Sequence, residues 1–352
     1  MSRVRVIFRT ADRRPRLWTG TALFGVLAVA LSGSTALFTA YQLDILTTLL
    51  AFIGLAQAWN ILAGFGGQVS LGASAFVGTG AYAAALLELH AGLGYPLAAL
   101  GALLAGGALA AVLSIPLLRL RGDYFSIGTL AAALALQSWA VNWDFAGGST
   151  GLVLPGDGIP GQVEIFQLAC VVAAAAMISA FVVANSGFGM RLKALRDNEP
   201  AAIGLGVTMF RHRLGALVLS GALSGLTGSL LAMQQISFEP NGMLGIGWTI
   251  NALLMTIVGG IGTVLGPVVG AVAVYYLLTK QLESYQTAGL MIEGVLLIII
   301  VRFAPRGLWP LLSLGVTKLL SSRRRRPAEL MATTDDAVLE ARHADLNEAI
   351  SR

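Results

Sequence analysis

"WNILAGFGGQVSLGASAFVGTGAYAAALL", residues 59–87, decides how the rest of the chain is read. An apolar stretch runs into Gly64, Gly66, Gly67 and Gly72 and the polar side chains Gln68, Ser70 and Ser74, then resumes with no charge. The same alternation of oily runs and glycine breaks recurs to about residue 304. The runs are about 18 to 25 residues long, the length that crosses a hydrocarbon core of roughly 30 Å. Of the 352 residues, 56% are hydrophobic and 12% charged, against roughly 25% charged in a soluble domain. The sequence is that of an all-α polytopic membrane protein. Many of the 43 glycines sit inside apolar runs, where small residues let helices approach closely.

Candidate spans are 17–38, 44–63, 68–89, 95–118, 124–142, 165–185, 213–234, a long region 247–279, and 287–304. The region 247–279 is too long for one upright helix and is broken by "VGGIGTVLG" (258–266), so it reads as two short spans or a re-entrant pair. The total is then ten or eight. Positive charge marks the cytoplasmic side, and acidic residues barely count. Six arginines precede Leu17, Arg119 and Arg121 follow the fourth span, and Gly122 to Met190 contains no Lys or Arg. This places both termini and the loops 64–67, 119–123 and 186–212 inside. The segments 39–43, 90–94, 143–164 and 235–246 fall outside, and among the 23 Lys and Arg only Lys280 disagrees. The arginine-rich head and first apolar run also resemble a cleaved signal, but the many later spans favour an anchor. The expected organisation is an N-terminal cytoplasmic segment (1–16), a permease domain (17–304) and a cytoplasmic tail (305–352). "RRRR" (323–326) would lie near anionic headgroups.

The formal charge of +5 flanks apolar spans, so it reports topology and membrane lipid rather than nucleic acid. The single Cys170 excludes a disulfide within the chain and a cysteine-based metal cluster. His90, His212 and His343 lack metal-ligand spacing, and there is neither a nucleophile elbow nor a phosphate-binding Gly-Lys-Ser/Thr loop. No metal, cofactor or catalytic residue is expected. If the protein uses ATP, another chain binds it.

Polar residues inside apolar spans are costly and face protein or a cavity. Gln57, Asn60, Gln68, Ser70 and Ser74 lie in or after the second span, and Gln137, Asn251, Thr256 and Glu293 in later ones. Taken singly, each reads as an interhelical hydrogen bond. The cluster at 66–74 reads equally as unwound backbone offered to a polar solute. "GFGGQVSLGASAFVGTGAY" (64–82) and "IVGGIGTVLGPVVGAVAVYY" (257–276) share a glycine pair, a later glycine and a closing Tyr. Paired glycine-broken segments can flank a transport path, although glycine-rich helices also resemble one another by chance. Asn60, Gly66, Gly67, Gln68, Ser70, Ser74, Asn251, Thr256, Gly259, Gly260 and Thr263 are the candidate path residues.

"SGFGMRLKALRDNEPAAIGLGV" (186–207) is the charged interruption and the largest predicted cytoplasmic loop. Met190 to Arg196 reads as one short helix and Pro200 starts a second, which Gly204 and Gly206 end. A solvated loop would explain its basic residues but not Phe188, Met190, Leu192 and Leu195 among them. A docking surface for a cytoplasmic partner explains both.

The stretches at 59–87, "NWDFAGGSTGL" (142–152), "FGMRLKALRDNEPAAIGLGV" (188–207), "LLMTIVGGIGTVLGPVVGA" (253–271) and "VRFAPRGLWPLL" (301–312) together resemble the permease subunits of bacterial branched-chain amino acid ABC importers, of the LivM-like kind. The resemblance implies a bacterial inner-membrane subunit that pairs with a second, LivH-like permease. It implies two cytoplasmic ABC ATPase subunits and a periplasmic substrate-binding protein as further partners. It implies ATPase-coupling roles for Phe188, Met190, Arg191, Leu192, Arg196, Glu199, Ala201, Ala202 and Gly206. The importer EAA-x3-G pattern is approached here by Ala201, Ala202 and Gly206, with Pro200 between Glu199 and Ala201. The His of the family pattern is absent here, where the chain reads "GQVSLGASAF" (67–76). Urea, short-chain amides and other small polar solutes are alternative cargoes. An ion-coupled carrier would need acidic relays within the membrane, and only Glu293 suits one.

Overall fold

Each long helix begins or ends where the chain has a local reason to do so. Thr39 opens α2 (Ala40–Trp59) with a reciprocal box, its hydroxyl accepting from the Gln42 N–H while the Gln42 amide oxygen accepts from the Thr39 N–H at 2.9 Å. α2 runs directly into a π-helical turn, Asn60–Phe65. The chain is then extended to Gly72, where α3 (Ala73–Ala91) begins. α3 ends at Gly92 in the left-handed conformation, and Pro96 lies in the first turn of α4 (Tyr95–Leu117). The computed structural model describes residues 14–35, 38–154, 160–276, 295 and 307–309. Apart from Val295, the expected last span (287–304), with Glu293, lies outside the described residues, as do the residues before Arg14 and the polar tail. The chain divides into two units, Met1–Gly307 and Leu308–Arg352. Apart from Leu308 and Trp309, the described residues all belong to the first.

The remaining helices are α1 (Arg14–Gly33), α5 (Asp123–Val141), α6 (Gln162–Asn185), α7 (Gly187–Asp197), α8 (Glu199–Gly204), α9 (Met209–Gln235), α10 (Pro240–Met243), α11 (Gly247–Gly259) and α12 (Gly266–Val274). Among the described residues, six segments are long and apolar enough to cross a membrane: 40–65, 95–117, 123–141, 162–185, 209–235 and 240–259. The expected span 68–89 is helical only from Ala73, because 68–72 gives its backbone to other elements. The described part of the region 247–279, residues 247–276, contains two helices, α11 and α12, joined by the turn 260–265.

α9 and the segment 40–65, which is α2 with its π-helical turn, form the centre, with 83% and 72% of their most apolar stretch buried, against 22% for α5. Glycine makes this packing possible. A Cβ on Gly80 would strike the carbonyl of Gly225, and one on Gly225 would lie 2.5 Å from the Ala102 carbonyl and 3.1 Å from the Gly106 Cα. α3, α4 and α9 therefore meet backbone to backbone, the contact that replaces hydrophobic driving force inside lipid.

The loops sort onto two faces of this bundle, as the charge pattern predicts. The segments 64–67, 119–123 and 186–212 share one face, where Gly67, Gly122, Asp123 and Arg196 line a single cavity of about 280 Å³. The other face joins 90–94, 143–154 and 235–246. His90 stacks on Phe145 with ring centroids 4.7 Å apart, and β1 (Leu152–Val153) pairs antiparallel with β2 (Ser237–Phe238). Gln162 also donates to the Ala40 carbonyl there, at 2.8 Å.

Candidate functional site

The charged loop folds as its punctuation predicts. The Ser186 hydroxyl accepts from the Gly189 N–H to start α7, and the Asn198 side chain accepts from the Ala201 N–H to start α8. Pro200 sits in the first turn of α8, and Gly206 turns the chain onward at φ +85°. Two short helices result, each with a buried and an exposed side. Leu192, Leu195 and Ala202 are buried, and Phe188 is half-buried with its ring stacked 5.6 Å from His212. The exposed side carries Met190, Arg191, Ala201, Ile203, Leu205, Gly206 and Arg211, with Leu205 85% exposed. Of the residues expected to meet a partner, Leu192 and Ala202 thus turn inward, because their helices need an apolar side to rest on the bundle.

Two ionic anchors hold the element in place. Glu199 pairs with Arg213 of α9 at 2.7 Å, with Arg213 nearly buried. Arg196 donates to the Gly64 carbonyl at 2.7 Å and pairs with Asp197 at 2.9 Å. Both charges look like partner contacts in sequence, yet each spends its strongest bond on the bundle. Lys193 adds a third tie, its ammonium 5.2 Å from the centre of the Phe65 ring. Replacing Glu199 with Ala leaves the Arg213 guanidinium without its carboxylate. Glu199 is partly exposed, so the expected cost is about 2 kcal/mol, below the roughly 3–5 kcal/mol of a fully buried pair. Amide exchange across α8 is expected to quicken by about 30-fold, and unchanged exchange would contradict the anchor.

The two glycine breaks lie against each other, on the side that faces α7. Asn60, fully buried in the π-helical turn, donates to the Thr263 carbonyl at 2.8 Å and accepts from the Gly262 N–H at 2.9 Å. One side-chain amide thereby completes the backbone of a turn some two hundred residues away. The Gln57 amide also donates to the Val264 carbonyl. Gly64 has to be glycine, since a Cβ there would occupy the place of the Asn60 side chain. Thr256 bridges α11 to α2 through the Ala56 carbonyl at 3.0 Å. A Cβ on Gly259 would meet the Gly266 carbonyl, and Gly260 adopts φ +125° to begin the turn.

The extended segment 68–72 is held from three directions. Trp59 donates its indole N–H to the Ser70 carbonyl at 2.9 Å, and the Ser126 hydroxyl donates to the Val69 carbonyl at 2.6 Å. Thr129 accepts from the Leu71 N–H at 3.0 Å, while the Ser74 N–H donates to Thr249 at 2.9 Å. Gly66, Gly67 and Gln68 line the 280 Å³ cavity with Arg196. Gln68 Oε1, Ser74 Oγ and Asn251 Oδ1 are buried without a hydrogen-bond partner. The candidate path residues therefore divide. Asn60, Thr256 and Thr263 knit the helices together, whereas Gln68, Ser74 and Asn251 keep polar capacity unused beside the breaks.

Sequence reasoning missed Trp59, Ser126, Thr129 and Lys193 as supports of this site. Trp59, Ser126 and Thr129 look like ordinary span residues and Lys193 like an ordinary loop charge, and only the partner across the fold reveals the use of each.

The family described as "Branched-chain amino acid transport system / permease component" matches residues 41–301, which include both breaks and the α7–α8 element. The chain is 27% identical over 305 residues to the "High-affinity branched-chain amino acid transport system permease protein LivM" of Salmonella typhimurium, covering 77% of this chain and 70% of that one. The protein of the same name from Escherichia coli is 27% identical over 76% of this chain and 70% of its own. A shorter match, 31% identical over 40% of this chain and 44% of the other, is to the "Autoinducer 2 import system permease protein LsrC" of Klebsiella pneumoniae. No solved structure matches the chain significantly. With the family match running over most of the chain and through every element of the site, this polytopic protein belongs to the branched-chain amino acid transport system permease family.

Proposed function

We propose that the chain is one of two transmembrane permease subunits of an ABC importer for branched-chain or related amino acids, set in the bacterial inner membrane with both termini in the cytoplasm. A second, LivH-like permease completes the pathway, and a periplasmic binding protein delivers the solute. Two ABC ATPase subunits hydrolyse ATP on the cytoplasmic side, so this chain performs no catalysis. The observation that carries the reading is the α7–α8 element. It is a pair of capped helices on the face rich in Lys and Arg, anchored inward by Arg196 and Glu199 and presenting Met190, Arg191, Ile203 and Leu205 outward. A solvated loop would have no use for an exposed Leu205 between two helix stops.

The mechanism follows from that placement. ATP closes the ATPase pair and shifts the α7–α8 element. The glycine breaks at 64–72 and 259–266 then move, opening the solute path to one side of the membrane. ATP drives this only because the ATPases bind the two permease states with different affinity. Gln68, Ser74 and Asn251 supply unused polar groups for the solute at the breaks. The test is docking. Arg191→Glu combined with Leu205→Asp reverses one charge and adds another on the outward face. Co-purification of the ATPase subunits is expected to fall by about tenfold or more, about 1.4 kcal/mol, while the permease still inserts. Full retention of the ATPases would sink this assignment of the docking face.

A further inference from the structure

We propose that Arg196 is the latch through which movement of the α7–α8 element reaches both glycine breaks at once. This rests on the importer reading above and adds to it a named residue and a named seat. The seat is built from three glycines belonging to two distant parts of the chain. At Gly64 the carbonyl accepts from Arg196 Nη1 at 2.7 Å. At Gly67 a Cβ would fall on Arg196 Cγ and lie 2.9 Å from its Cβ. At Gly262 a Cβ would lie 3.1 Å from Arg196 Nη1 and equally close to the Gly64 carbonyl. Gly67 and Gly262 both hold left-handed backbone, at φ +69° and +75°. Their missing side chains thus serve the turn and also clear a groove for one arginine.

Three further features favour a latch over incidental packing. Asp197 fixes the guanidinium from its outer side, accepting from both Nε and Nη2 at 2.9 Å. The planar fork, on a side chain 36% exposed, is thus held between the Asp197 carboxylate and the Gly64 carbonyl. Asn60 already ties the first break to the second, at Gly262 and Thr263. A pull on Gly64 is passed across that tie within a single amide group. Last, the cavity of about 280 Å³ lined by Gly66, Gly67, Gln68 and Arg196 gives the first break room to shift relative to α7. The second anchor, Glu199 to Arg213, ends on α9, the most buried span, and so holds the element rather than transmitting its motion.

The test uses the complete complex in proteoliposomes, with radiolabelled leucine as the probe. Its readouts are the ATPase subunits retained and the ATP hydrolysed per leucine imported. Arg196→Ala is expected to retain the ATPase subunits in the amount seen with the unaltered chain. Its ATP-to-leucine ratio is expected to rise by about tenfold or more. Arg196→Lys, which reaches the Gly64 carbonyl but lacks the fork, is expected to recover most of the loss. Gly67→Ala fills the seat from the opposite side with Arg196 intact, and is expected to show the same raised ratio. An unchanged ratio in Arg196→Ala or in Gly67→Ala overturns the latch and leaves the importer reading standing. Loss of the ATPase subunits from Arg196→Ala also overturns it, since Arg196 would then be a docking contact. Failure of the unaltered complex to import on ATP would instead defeat the importer reading itself.

Discussion

Asn60→Leu is expected to abolish uptake and to strip the protein of much of its stability. The substitution keeps the volume of a fully buried side chain and removes all of its polar contacts. The Gly262 N–H and the Thr263 carbonyl, satisfied at 2.9 and 2.8 Å in the native chain, are left facing an isobutyl group. Each buried group without a partner costs about 1–3 kcal/mol, and here water cannot replace the amide because Gly64 packs against it. The sum, about 2–6 kcal/mol, is a large share of a total stability of roughly 5–15 kcal/mol. Thermal unfolding of the detergent-purified complex, followed beside uptake, measures both losses. Asn60→Asp separates them further. It retains an acceptor for Gly262 but turns a second oxygen onto the Thr263 carbonyl, so it is expected to be nearly as damaging. Normal uptake by either variant would show that the breaks do not work as one unit.

The second large effect is expected at Gly225, where α9 passes between α3 and α4. A Cβ there would lie 2.5 Å from the Ala102 carbonyl, and Gly80 in turn abuts the Gly225 carbonyl. These neighbours are backbone atoms, which cannot rotate aside as a side chain would. Gly225→Val must therefore part the helices, and its cost should reach or pass the roughly 1–3 kcal/mol typical of overpacking. Little monodisperse protein is expected from membranes expressing it. Gly107 offers the contrast, since a Cβ there would meet the Ala222 Cβ at an ordinary 3.4 Å. Gly107→Ala should be recovered in the native amount. Equal recovery of both variants would contradict the backbone-to-backbone packing of the central helices.

Much of this architecture was legible in the sequence, because hydrophobic length and Lys/Arg placement act locally. Lys/Arg placement together with the alternation of spans assigns the segments 64–67, 119–123 and 186–212 to one side, and they share one face of the fold. The α7–α8 pair follows from Pro200, Gly204 and Gly206, whose conformational preferences are set by their own chemistry. What stayed hidden depends on partners distant in the chain. Hydrophobicity alone starts this span at 68, five residues before α3, since nothing local reveals that Ser126 and Thr129 hold 69–71 extended. The two glycine segments were noticed as similar, but similarity does not say that Asn60 joins them. Arg196 and Glu199 illustrate the same limit. Their charges signalled a cytoplasmic partner, whereas the fold gives each an inward bond as well.

The central claim is that this family member moves solute only as part of an ATP-driven assembly, through the α7–α8 element. The direct measurement is radiolabelled leucine uptake into proteoliposomes containing the chain, its second permease and the ATPase subunits, with the cognate binding protein outside. Accumulation is expected only when ATP is enclosed on the ATPase side and all components are present. Leucine uptake by the chain without ATPase subunits, following an imposed ion gradient, would contradict it.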